Sequence, residues 1–212
     1  MHSDKAIENN DKLVRFVVNL LRNENEKKSH KAVDPQREQA VKGLLSLLKK
    51  ISKNEGGPYL IMYAGGVELL AVILKRAVGS VAGAGEKSDA AENITSIVSI
   101  LSELSKNEAI CVSIVRGGAL PPLFRTAETL SGDTDILMQC CGIVKSCSQS
   151  CCNEVAEDFA KHDGIRIFTD LLSNSFDSVD LAYSICSIFS DIVECKITST
   201  FNLRPMVIRL KF

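Results

Sequence analysis

"IVRGGALPPLF", residues 114–124, sets two glycines and two prolines side by side, with apolar residues on both flanks. Each pair disrupts a regular element, but Gly-Gly followed by Pro-Pro is the order expected at a joint between helices. Glycine takes the left-handed conformation that ends a helix, and proline fits the first turn of the next, where a missing N–H breaks no bond. The stretch predicts that Gly117-Gly118 closes one helix and Pro121-Pro122 opens another at a sharp angle.

The joint recurs along the chain. "IVSILSELSKNE" at 97–108 matches "LLSLLKKISKNE" at 44–55 in every apolar position, and "IVKSCSQSCCNE" at 143–154 is a looser third copy. From the closing glutamate to a glycine is eleven residues for Glu55 to Gly66, ten for Glu108 to Gly118 and ten for Glu154 to Gly164. An apolar helix follows each: "VELLAVILKRAV", "ALPPLFRTAETL" and "IRIFTDLLSN". The copies are 46 to 53 residues apart, a period at which internal repeats mean a solenoid or an array.

Within 38–53, Ala40, Val41, Leu44, Leu45, Leu47, Leu48 and Ile51 recur at helical spacing. The stripe is too broad for a surface helix and suits one packed between neighbours. Segments 92–105, 135–150 and 178–194 carry the same stripe, and nothing through them reads as a strand. The tail at 196–212 departs from this pattern: its β-branched residues and Pro205 fit no helix of the repeat, so it reads as an irregular or capping segment.

Composition bounds the function. At 45% hydrophobic and 24% charged, 212 residues bury a sizeable core, and a net charge of −1 gives no basic footprint for nucleic acid. The first 106 residues hold 16 basic and 13 acidic groups, the rest 9 and 13, an asymmetry too mild to choose a partner. No signal-like or membrane-length apolar run occurs. The expectation is a soluble, cytoplasmic protein without membrane insertion, with the nucleus also open to it.

The segment "NEAICVSIVRGGALPPLFRTAETLSGDTDILMQCCGIVKSC" at 107–147 resembles an armadillo repeat. It has a short first helix ending in Gly-Gly, a second opening on Leu-Pro-Pro-Leu, a Gly-Asp turn, and a long third helix. The likeness is weaker at 54–105, where "GSVAGAGEKSDAA" is inserted, and at 153–194, where Asp163-Gly164 replaces Gly-Gly. It implies an all-α, right-handed α-solenoid over 1–195, with a partial repeat at 4–53 and repeats at 54–105, 106–150 and 151–195. It further implies a concave surface lined by the third helices, and hence a protein partner.

Along those helices, positions three and four apart select Gly43, Ser46 and Lys50; Ser96, Ser99 and Glu103; Gln139, Gly142 and Ser146; Ser184, Ser187 and Asp191. All twelve are small or polar. A solvated helix face favours long Lys and Glu, so mid-helix serine and glycine suggest a groove in which a partner passes close to the backbone. In the third copy Gln149 is an alternative to Ser146. Importin-type members of the family read basic signals with Trp and Asn ladders. This chain has no Trp, and the positions matching Asn hold Lys50, Glu103, Ser146 and Asp191, so that specificity is not expected.

Other chemistries fit less well. "GSVAGAGEKSD" at 79–89 imitates a phosphate-binding loop, but Glu86 separates Gly85 from Lys87 and puts a negative charge where phosphate would sit. His2, His30 and His162 lie in no triad pattern, and His162 suits the end of a helix. Eight cysteines without a C-x-x-C read as core fillers in a reducing compartment; Cys147, Cys151 and His162 are the nearest approach to a metal set. We expect no catalytic residue, metal or cofactor. The expected role is a scaffold or adaptor binding an extended or helical segment, the alternative an exchange-factor-like regulator of a small GTPase or chaperone ATPase. Oligomeric state is left open.

Overall fold

The computed structural model describes residues 2–26, 35–81, 89–174 and 178–201. Among the described residues it is all-α, with no strand: α1 (His2–Glu26), α2 (Pro35–Ser52), α3 (Gly57–Tyr63), α4 (Gly66–Val81), α5 (Asp89–Leu104), α6 (Glu108–Arg116), α7 (Leu120–Thr129), α8 (Thr134–Lys161), α9 (Gly164–Asn174) and α10 (Val179–Phe201). No single described helix is long and apolar enough to cross a membrane.

The joint at 114–124 shows how local chemistry sets these boundaries. At the end of α6 the Gly118 N–H bonds the Val115 carbonyl at 3.0 Å and the Ala119 N–H bonds the Ile114 carbonyl at 3.1 Å. These are the paired bonds of a Schellman cap, and Gly118 holds its left-handed position at φ 72°. Proline then occupies the first turn of α7. Side-chain caps act where the loop is polar: Asn107 accepts from the Ala109 N–H at 3.2 Å, and Asp133 from the Ile136 N–H at 3.0 Å.

The backbone corrects the register of the repeated joint. The sequence aligns Gly66, Gly118 and Gly164, whereas the left-handed residues are Gly65 (φ 72°), Gly118 (φ 72°) and Asp163 (φ 58°). Gly66 and Gly164 are one step further on, buried at the first position of α4 and α9. There the need is space: a Cβ on Gly66 would stand 2.7 Å from Ile61 Cγ2, and one on Gly164 2.9 Å from Phe159 Cα. Glycine thus serves two purposes at adjacent positions, and matching letters conflates them.

The helices touch in a regular order. Of the long ones, α2 touches α5, α5 touches α8 and α8 touches α10; among the others, α4 touches α7 and α7 touches α9, while α3 touches α6. The core runs between them, from Val17, Val18 and Leu21 of α1 through Leu45, Leu70, Ile97 and Leu101 to Ile185 and Ile188 of α10. Toward the C-terminal end it turns aromatic: Phe124, Phe159 and Phe168 are fully buried, with ring centroids 4.7, 5.7 and 5.1 Å apart. Helix α8 is two helical segments joined at a kink, where Cys151 leaves helical geometry (φ −143°, ψ 52°).

One further expectation needs amending. Helix α10 continues to Phe201, through six residues that the sequence gives to the irregular tail. On this helix Phe189 and Ile192 are half-buried against the core, and Val179, Tyr183 and Val193 are exposed. The 79–89 insertion is outside the described residues over 82–88, and the apolar run before it is helix α4.

Candidate functional site

The twelve sequence-selected positions lie on α2, α5, α8 and α10, the four long helices in mutual contact. None is buried. Gly43, Ser46, Lys50 and Gly142 are exposed; Ser96, Ser99, Glu103, Gln139, Ser146, Ser184, Ser187 and Asp191 are half-buried, and so is Lys145 beside Ser146. Gln149, the alternative to Ser146, is exposed as well.

Local partners hold several of these groups. Glu103 pairs with Lys106 at 2.6 Å, and Gln139 Nε2 donates to the Asp135 carbonyl at 3.3 Å. Ser148 Oγ lies 2.8 Å from Asp191 Oδ2 and 2.8 Å from the Lys145 carbonyl, so its single proton serves one acceptor at a time. Among the described residues no hydrogen bond or ion pair joins two of the twelve directly. Besides the Ser148–Asp191 contact between α8 and α10, neighbouring long helices are tied by residues beside the twelve: Lys42 to Glu92 at 2.9 Å between α2 and α5, and Lys145 over the Tyr183 ring at 5.3 Å between α8 and α10. Sequence reading passes over these because each pair is formed by residues far apart in the chain.

Buried serines make a contrasting set. Ser52, Ser105 and Ser148 are almost wholly enclosed, and each lies within hydrogen-bond reach of the carbonyl three residues earlier, at 3.0, 3.0 and 2.8 Å. The Ser52 and Ser105 hydroxyls are satisfied by their own helices, and that of Ser148 by its own helix or by Asp191 of α10. The serines among the twelve differ in keeping access to solvent.

Two clefts flank the long helices. One of about 610 Å³ lies between the start of α5 and the α7–α8 turn, with Glu92, Thr95, Asp133 and Asp135 on its wall. The other, about 660 Å³, is lined by Gly118, Pro121 and Pro122 of the opening stretch together with Lys75, Arg125 and His162. Its arginine is balanced. Arg125 reaches Glu128 at 2.7 Å and Asp163 at 3.7 Å, and Arg166 reaches Glu128 at 2.8 Å. The Arg166 hydrogen bond, followed by that from Arg125, holds the Glu128 carboxyl below the usual glutamate range. His162 caps the end of α8, its Nε2 3.9 Å from Asp158 Oδ1. His30 falls outside the described residues.

The cysteines separate by environment. Cys111, Cys140, Cys141, Cys147 and Cys151 are buried thiols and Cys186 is an exposed one. Burial pushes the Cys141 thiol up to about 12 and raises Cys140 as well; its hydrogen bond with Cys111, then burial, raises Cys147. Thiols held protonated are poor nucleophiles and poor metal ligands at neutral pH. Among the described residues no three His, Cys, Asp or Glu side chains are placed to hold a metal ion. Cys152 and Cys195, expected as core thiols, are instead joined by a disulfide linking α8 to α10 across a sequence separation of 43. The Ser148–Asp191 contact has the same separation, so the two bonds mark one register between those helices.

No protein-family model matches this chain, and no curated protein matches it in sequence.

Proposed function

We propose that the chain is a right-handed armadillo-type solenoid of about three repeats behind a partial one, acting without catalysis as a protein-binding module. The observation that carries this reading is the contact order of α2, α5, α8 and α10 together with the accessibility of the twelve small or polar residues upon them. Stacked copies of one helical unit give a surface whose chemistry repeats at each step, which suits a long, thin ligand. The other contact rows, α4 to α7 to α9 and α3 to α6, support the same reading.

The partner is an extended or helical protein segment of mixed charge. Short side chains at Gly43, Ser46, Ser99, Gly142 and Ser187 allow its backbone to come near, and Lys50 and Glu103 offer charges of both signs. A scaffold or adaptor in the cytoplasm, with the nucleus also open to it, is the role this describes.

The test is to identify the partner by proximity labelling in the native cell, map the bound segment, and measure its capture by the Ser99→Arg, Ser187→Arg double variant. Capture should be lost while the helical circular dichroism is retained. Retained capture by a folded variant would remove the groove from consideration.

A further inference from the structure

Helix α10 is tied to α8 on both sides of the kink at Cys151. Before the kink, the Ser148 hydroxyl lies 2.8 Å from Asp191 Oδ2, and Lys145 stands over the Tyr183 ring. After it, Cys152 carries the disulfide to Cys195. Ile185 and Ile188 are fully buried, so packing also holds the earlier part of α10. Beyond Asp191 the packing is thinner: Ile192 is half-buried, and Val193 and Glu194 are exposed.

The surroundings of the link suit a bond that is made and broken. Cys152 is half-buried while Cys195 is 7% exposed, so an incoming thiolate reaches the Cys152 sulfur and Cys195 is the leaving group. Cys195 Sγ stands 3.1 Å from Asn153 Oδ1. In the disulfide that sulfur has no proton to give; as a thiol it donates to Asn153 without moving. The adjacent Cys151 does not compete for the bond, because it is buried and burial holds its thiol above the ordinary range.

We propose that Cys152–Cys195 is a reversible redox link through which small thiols or dithiols control the C-terminal end of α10. A reductant thiolate attacks Cys152 Sγ, the S–S bond breaks, and its electron pair leaves on Cys195, which takes a proton from water and donates it to Asn153. A second reductant thiolate attacks the reductant sulfur of the mixed disulfide. Cys152 leaves and is protonated, and the reductant departs as its own disulfide. The Ser148–Asp191 contact and the buried isoleucines keep Cys152 and Cys195 opposite one another, so a small-molecule disulfide restores the link by the same steps reversed. Reduced, α10 stays docked as far as Asp191 while its last turns come free. This rests on the contact of α10 with α8 and is independent of what the concave surface binds.

The test is to equilibrate the full-length protein in reduced and oxidised glutathione at a series of ratios, quench with acid, and count tagged cysteines by mass. Cys152 and Cys195 should titrate together and reversibly, with the helical circular dichroism unchanged. Amide hydrogen exchange over 192–201 should be about tenfold faster in the reduced form, and that over 136–150 unaltered. Asn153→Ala, at an exposed position, should move the midpoint about fivefold toward reducing conditions, because the reduced thiol loses its acceptor. Reduction that occurs only with loss of the helical signal would overturn the proposal. So would equal exchange over 192–201 in the two forms, or an unshifted midpoint in the variant.

Discussion

Asp163 occupies, at the end of α8, the left-handed backbone position that Gly118 holds at the end of α6, with φ 58° against 72°. A side chain in that region costs about 1–2 kcal/mol, partly relieved for Asp by local hydrogen bonding. Asp163 is also placed 3.7 Å from Arg125, but both side chains are more than half exposed and the pair adds little. Asp163→Gly should therefore raise stability, by roughly 0.5–1 kcal/mol. Gly118→Val should lower it by about 2 kcal/mol or more, through the backbone alone, since nothing lies within 4 Å of a Cβ built there. Urea melts of the two variants test the pair; equal midpoints would show that the joints do not need a left-handed residue.

The Glu128 carboxyl, between Arg166 and Arg125, makes stability depend on acid. Its folded-state pKa is lowered, so its contribution is fully present above the unfolded glutamate value and is lost as pH falls through the folded one. Since the group is about a third exposed, the contribution is roughly 0.5–1 kcal/mol. Arg166→Gln should be less stable than the unaltered chain at pH 7, and the difference should close as the pH is brought below about 4. A difference constant from pH 7 to 3 would mean that the ion pair contributes nothing.

The Cys152–Cys195 disulfide fixes α10 to α8 and closes a loop of 43 residues. Loop-closure entropy gives such a link about 2–4 kcal/mol. Cys195→Ser should lose that amount in denaturant titrations without reductant, and dithiothreitol should bring the unaltered chain down to the level of the variant. Cys140, Cys141 and Cys147 should stay unlabelled until the chain unfolds, because they are buried and held protonated in the core. Stability indifferent to reductant, or rapid labelling of the buried thiols, would contradict this arrangement.

Much of the helical layout was legible because its signals are local. The Gly-Pro order at 117–122, the Asn107 and Asp133 caps, and the spacing of Leu44, Leu48 and Ile51 each act within a turn or two of helix, so ten helices and no strand among the described residues is the outcome their chemistry favours. The twelve candidate positions are likewise products of helical spacing, and spacing alone keeps them out of the core. Register at the joints was less legible. Gly65 and Gly66 differ in what they do, one taking a left-handed φ and the other leaving room for Ile61, and a string of letters shows two glycines without that distinction.

The sequence by itself determined that the chain is helical, where its capped joints fall to within a residue or so, and which sides turn inward, since capping, periodicity and backbone sterics are decided among residues a few places apart. Only the tertiary structure decided that Phe124, Phe159 and Phe168 meet, that Arg166 finds Glu128 38 residues away, that Cys152 reaches Cys195, and that α10 exposes Val179 and Tyr183 rather than Phe189 and Ile192. Those outcomes depend on which helix lies against which and at what rotation. That is set by the fit of side-chain surfaces between distant segments, and no single stretch of the chain contains it.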